Sequence, residues 1–127
     1  MLYQIGMLCK HFKGKTLLDK NIYQIINLGV SGKDVDPSHI TYSGDGELSS
    51  AENLVVYANI FQNNKLFARE YEDISSELSP EKQEQFLQTI KVQPLNEEEI
   101  AIVTSPKFIE EKELQTKEKY QQTSPSK

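Results

Sequence analysis

Residues 54–71 read LVVYANIFQNNKLFAREY. Two runs rich in β-branched and aromatic residues, 54–61 and 65–71, flank the pair Asn63-Asn64, which is a typical turn signal. We therefore predict a β-hairpin at the centre of the fold. Because successive side chains of a strand point to opposite faces, the second arm presents one mixed face: Lys65, Phe67, Arg69 and Tyr71.

Two further strands are predicted before the hairpin. A short strand covers residues 9–12 and ends at Gly14, and a longer one covers residues 22–30, where Gly29 marks a bulge or the end of the strand. The even positions of the longer strand form an apolar face that Gln24 interrupts. Alternation across these segments predicts that five side chains are buried: Leu54, Val56, Ile60, Ile26 and Leu28.

A polar loop and a helical segment complete the chain. Residues 31–51 are predicted to form a long loop in which residues 39–42 make a brief strand. From residue 79 the pattern changes to helix starts, at Ser79-Pro80, at the capping box that begins at Asn96, and at Ser105-Pro106. The chain therefore divides into a small β domain, residues 1–78, and a helical extension, residues 79–127, that packs on it or trails it.

The fold class that follows is mostly β with C-terminal helices, or α+β. The apolar face of a small sheet must be covered by another element or by the sheet itself. We therefore predict a small bent antiparallel sheet or an SH3-like barrel, followed by two or three helices.

Composition limits the functional classes. The chain has 127 residues and a net charge of -5, which disfavours bulk nucleic-acid binding, although most lysines of residues 1–33 have no acidic counterpart there. Cys9 is the only cysteine, so disulfides play no part, and we expect a cytoplasmic location. No apolar run approaches the roughly eighteen residues of a membrane span, so no membrane partner is predicted.

Arg69 is the strongest candidate for a ligand contact, because it is the only arginine and has Phe67 and Tyr71 on its own strand face. A guanidinium between aromatic rings can stack and can form two parallel hydrogen bonds with a carboxylate or phosphate. The structural alternative is an internal ion pair with one of four acids: Glu52, Glu70, Glu72 or Asp73. We predict a ligand-binding set of five residues: His11, Lys13, Tyr57, Phe67 and Arg69.

This set favours a non-catalytic binding module for a protein, a peptide or a nucleic acid, with no cofactor. The alternative is a small enzyme or metal-binding protein that uses Cys9 and His11, or loop 34–47 with His39. Same-face neighbours on one strand lie roughly 6.5–7 Å apart, too far for a direct thiol–imidazole hydrogen bond. The loop lacks the glycine and glutamate positions of an EF-hand. We therefore predict no catalytic and no metal-binding residues.

Several motifs, taken in order, resemble the bacterial family called domain of unknown function 1653. They are Lys10-His11-Phe12-Lys13-Gly14, then Tyr23, then Leu54-Val55-Val56-Tyr57, and finally Phe67 with Arg69. The resemblance covers about residues 6 to 78 and implies a compact β domain without an established activity. This chain differs from the family in an inserted stretch at 16–20, a longer loop at 32–51, Phe in place of Trp at 67, and Glu in place of Pro at 70.

Overall fold

A computed structural model of the chain describes the backbone of residues 2–123 and the side chains of residues 2–118. The strands are β1 (Leu8–His11), β2 (Ile22–Val30), β3 (Ile40–Tyr42), β4 (Leu54–Asn59), β5 (Lys65–Glu70) and β6 (Val92–Pro94). The α-helices are α1 (Tyr71–Ile74), α2 (Pro80–Phe86), α3 (Glu97–Val103) and α4 (Pro106–Thr123). Single 3-10 turns occur at Gly32–Asp34 and Leu48–Ser50. The part of the predicted extension after residue 123 lies outside the described residues.

The six strands form one sheet in the order β3-β5-β4-β2-β1-β6. The sheet is not closed, so the α+β prediction with C-terminal helices is confirmed and the barrel alternative is wrong. All neighbouring strands are antiparallel except β3, which pairs in parallel with β5. The expectation of a purely antiparallel sheet is therefore wrong at this edge, where the long loop returns along the outside of the hairpin.

The predicted hairpin is confirmed and lies inside the sheet. Asn63 and Asn64 both adopt positive φ angles of 53°, a conformation that asparagine tolerates better than most residues. Every residue of β4 is buried, because the sheet is covered on both faces. Leu54 and Val56 pack in one apolar cluster with Ala68. Val55 and Tyr57 belong to a second cluster, which contains Ile25.

The even-numbered apolar face predicted for β2 is wrong. The pairing of β2 with β4 shifts register between Ile25 and Asn27 and again between Asn27 and Val30. Each shift reverses the side-chain pattern beyond it, because the strand period is two residues. Ile26 is consequently 41% exposed, and Leu28 is half-buried beside the cluster that contains Ile25.

The helix starts predicted after residue 78 are confirmed. The Ser79 hydroxyl accepts a hydrogen bond from the Lys82 amide, and Asn96 forms a reciprocal capping box with Glu99. The sequence interpretation missed β6, which lies within the segment expected to be helical and pairs with β1. It also missed α1, which begins at Tyr71, the residue predicted to end the second hairpin arm.

Helices α3 and α4 cover one face of the sheet. Val103 and Phe108 pack against Ile22 and Leu95 in a third apolar cluster.

Among the described residues, no helix combines the length and the apolar character that a membrane span requires.

Candidate functional site

Four aromatic side chains lie in a row across one face of the sheet, and we call them the aromatic row: His11 on β1, Tyr23 on β2, Tyr57 on β4 and Phe67 on β5. The row arises because Tyr57 is paired directly with Phe67, and Tyr23 lies two residues from the partner of Tyr57 on β2. Ring centroids are 6.1 Å apart for His11 and Tyr23, 4.6 Å for Tyr23 and Tyr57, and 5.7 Å for Tyr57 and Phe67. These separations are typical of stabilising aromatic pairs.

Only the two ends of the aromatic row are open to solvent. Tyr23 and Tyr57 are buried, at 7% and 5% exposure, whereas His11 and Phe67 are half-buried. Burial raises the pKa of both tyrosine hydroxyls, so these groups stay protonated at neutral pH. Tyr57, predicted as a ligand contact, therefore supports the site from below, and a ligand reaches the row through His11 and Phe67.

His11 is uncharged at neutral pH. Its pKa is lowered from 6.5 to about 4, chiefly by burial and in smaller part by charge repulsion from Lys13, Lys20, Arg69 and Lys91. These cations come from separate parts of the chain and converge on one imidazole. The charged groups that act on the His11 pKa are therefore all cations, although the chain has a net charge of -5.

Two lysines near the ends of the row, Lys65 and Lys13, are cations that solvent can reach. The Lys65 ammonium lies 5.4 Å from the centroid of the Phe67 ring, within the range of a cation–π contact. Lys13 is exposed in the loop after β1, and its backbone amide lies 3.4 Å from Nδ1 of His11. The two open ends of the row thus each carry an exposed lysine.

Arg69 forms the internal ion pair that the sequence left as one of several alternatives. Its guanidinium contacts the carboxylate of Asp73 on α1, and Lys91 lies 2.8 Å from the other oxygen of the same carboxylate. The side chain of Arg69 is 28% exposed, so the pair is partly solvated. Arg69 is therefore held in place by Asp73, and it also contributes to the positive field at His11.

Arg69 also lines a cavity of about 250 Å³. Its lining consists of Gly44, Asp45, Arg69, Glu70, Glu72 and Asp73. Carboxylates outnumber the guanidinium there, so this side of Arg69 opposes a negatively charged ligand.

The chemistry of the enzyme alternative is not supported by its residues. Cys9 is fully buried, and burial raises the pKa of its thiol to about 12, so the reactive thiolate is scarce at neutral pH. In loop 34–47, Nε2 of His39 lies 3.6 Å from the carboxylate of Asp36, and both side chains are largely exposed. Among the side chains of residues 2–118, no group of three or more His, Cys, Asp or Glu could hold a metal ion.

Of the five predicted site residues, the structure brings His11, Tyr57 and Phe67 into the aromatic row and places Arg69 close enough to act on His11. Lys13 flanks the row from its loop. Sequence reasoning missed two members of this neighbourhood, Tyr23 and Lys91. Tyr23 stood among the quoted motif residues and could have been placed by its strand face. Lys91 had no signal, because it belongs to the segment that leads into β6.

Comparison of the chain with protein-family models, with curated proteins and with solved structures finds no match. The aromatic row and the cations around it therefore have to be interpreted from their own chemistry.

Proposed function

We propose that this protein is a non-catalytic binding module that binds an acidic segment of a partner protein across the open ends of the aromatic row. The observation that supports it most directly is that an exposed lysine lies at each open end of the aromatic row, Lys13 beside His11 and Lys65 beside Phe67. A carboxylate beside His11 would gain favourable charge interactions, and apolar side chains of the same segment would cover the half-buried Phe67.

Binding is favoured over catalysis because the polar groups lack a usable nucleophile and base. Cys9 is inaccessible and its thiol stays protonated, and the low pKa of His11 makes its imidazole a weak base at neutral pH. The neutral imidazole still offers one donor and one acceptor for hydrogen bonds. Such a group suits recognition of a peptide backbone.

A protein partner is favoured over a nucleic acid for two reasons. Non-specific binding of single strands relies on aromatic faces on which bases stack, and the rings of Tyr23 and Tyr57 are buried in the sheet. The net charge of -5 also opposes a long polyanion, whereas a short acidic segment needs only the local cations. Nucleic acid is the second outcome that the experiment below would detect.

The motif resemblance supports two further parts of this proposal. The order of the segments at 10–14, 54–57 and 67–69 supports membership of the bacterial family called domain of unknown function 1653. A bacterial origin, together with a single buried cysteine, supports a cytoplasmic location.

The test is affinity capture from a bacterial lysate with the immobilised chain, with and without nuclease. We expect the captured protein to survive nuclease, and its capture to fall about tenfold in Lys13→Gln and in Lys65→Gln, the loss typical of one charge-assisted hydrogen bond. Lys117→Gln is the matched control, because Lys117 is an exposed lysine on α4. Capture that nuclease abolishes would assign nucleic acid instead, and an equal loss in Lys117→Gln would contradict the site.

A further inference from the structure

Lys20 is a buried lysine near the end of the β1–β2 connection, two residues before β2. It is 2% exposed, and its ammonium donates hydrogen bonds to the carbonyl oxygens of Phe12 and Gly14, both at 2.6 Å, and of Phe86 at 3.0 Å. An ammonium has three donors, and all three are used. Lys20 therefore ties the segment that follows His11 to the end of α2.

A second lysine extends this arrangement to the C-terminal helix. Lys112 on α4 is 6% exposed, and its ammonium donates to the carbonyl oxygens of Leu18, at 2.5 Å, and of Lys20, at 2.8 Å. The two ammonium groups thus act in series. Lys112 holds the backbone of residues 18–20, and the side chain of Lys20 holds the backbone of residues 12–14.

The loop between these contacts is closely packed. Gly14 has a φ of +101°, and a Cβ added there would lie 2.9 Å from the backbone oxygen of Asp19. The Thr16 hydroxyl and the Asp19 carboxylate are hydrogen-bonded at 3.0 Å. Residues 12–20 therefore form a compact unit. Because the loop is closely packed, a shift of the backbone at residue 18 or 20 also shifts the backbone at residue 14.

We propose that Lys112 and Lys20 are positioning residues for the binding site, through which helix α4 fixes the segment 11–14 that carries His11 and Lys13. This proposal rests on the proposed function, because it concerns the geometry of the same site. Helix α4, which has no residue in the aromatic row, would thereby determine the position of His11 at one end of the row. Burying two ammonium groups is unfavourable unless carbonyls compensate them, and here four of the five carbonyls belong to the loop that is being positioned: those of Phe12, Gly14, Leu18 and Lys20.

The experiment measures the His11 imidazole by NMR titration in the full chain and in Lys112→Met. Methionine has nearly the length of lysine but donates no hydrogen bond. The cations that lower the His11 pKa are Lys13, Lys20, Arg69 and Lys91, and Lys112→Met keeps all four. We expect the pKa of His11 to rise from about 4 toward its ordinary 6.5, and amide exchange at residues 12–19 to accelerate about tenfold.

Lys117→Met on the same helix is the control, and we expect it to leave both measurements unchanged. An unchanged His11 pKa in Lys112→Met, with folding intact, would overturn the proposal and leave Lys112 as an anchor of α4 alone. If Lys112→Met is too unstable to titrate, Lys112→Gln takes its place, because its shorter amide cannot reach both carbonyls. Both measurements need no ligand, so they stand even if the binding function fails.

Discussion

Arg69 and Asp73 are joined by an ion pair that spans the junction between β5 and α1, and Lys91 shares the same carboxylate at 2.8 Å. One carboxylate therefore holds two cations that are distant in the sheet order, Arg69 on β5 and Lys91 immediately before β6. Both residues of the Arg69 pair are about 30% exposed, so water weakens the interaction without removing it.

The shared carboxylate predicts an asymmetry between the two partners. Arg69→Lys keeps the charge and should lower the free energy of unfolding by less than about 1 kcal/mol. Asp73→Ala leaves the two cations facing each other without a counter-ion and should lower it by about 2 kcal/mol. Urea melts measure both, with the exposed neighbour Glu72→Ala as control. Equal effects of the two substitutions would contradict the shared carboxylate.

The low pKa of His11 predicts a specific pH dependence. Between pH 6.5 and about 4 the unfolded chain binds a proton at His11 that the folded chain does not, so the free energy of unfolding falls as the pH is lowered through this range. Carboxylates titrate nearby, so the comparison is with His11→Gln, which lacks this proton. We expect the stability of the wild-type chain relative to this variant to decrease from pH 7 to pH 4 in urea melts. A constant difference would show that His11 keeps its ordinary pKa.

The buried pair of Lys10 and Glu99 predicts strong coupling between β1 and α3. Their charged atoms are 2.5 Å apart, and the two side chains are 9% and 18% exposed. Lys10→Met should lower the free energy of unfolding by about 3 kcal/mol, because it leaves the largely buried Glu99 carboxylate without its counter-ion. Adding Glu99→Gln, which can keep the capping box with Asn96, should restore part of this loss. A double variant as unstable as the sum of the single ones would rule out the coupling.

Two glycines separate backbone strain from steric clash. Gly6 and Gly14 have similar φ angles of +90° and +101°, but an added Cβ has no neighbour within 4 Å at Gly6 and meets Asp19 at Gly14. Gly6→Ala should lower the free energy of unfolding by about 1 kcal/mol, the strain of a positive φ. Gly14→Ala should lower it by roughly 1–3 kcal/mol more, because the loop backbone must move. Similar melting curves for the two variants would mean that the backbone of residues 14–19 moves at little cost in free energy, against the predicted clash.

The hairpin and the helix starts were predictable because their signals are local. The turn at Asn63-Asn64, the alternation in β4 and the caps at Ser79 and Asn96 each depend on residues a few positions apart. The barrel alternative was wrong because closure depends on how the outer strands pair. The bulges in β2 were only hinted at by Gly29, and they moved Ile26 to the surface.

The site was predicted in its residue types and less well in its geometry. Strand alternation places Phe67 and Arg69 on one face, but it does not identify which of four acids pairs with Arg69. Asp73 was selected because β5 ends at Glu70 and α1 turns the chain back over the sheet face. Lys91 joined the site through β6, a three-residue strand that ends in proline and carries no alternation signal. Contacts of this kind depend on tertiary packing.

The pairing of β6 with β1 has a consequence for the order of folding during synthesis. The ribosome releases β1 early, yet the neighbour that covers its outer edge, Val92–Pro94, is made only after the whole hairpin. Until then the nascent chain exposes an unpaired strand edge at His11, a feature that favours aggregation. Such distant pairing also slows folding, because the entropy of closing a long loop is lost before the contacts between β1 and β6 form. Chaperones that shield nascent strands would therefore act on this chain between the emergence of β1 and that of β6.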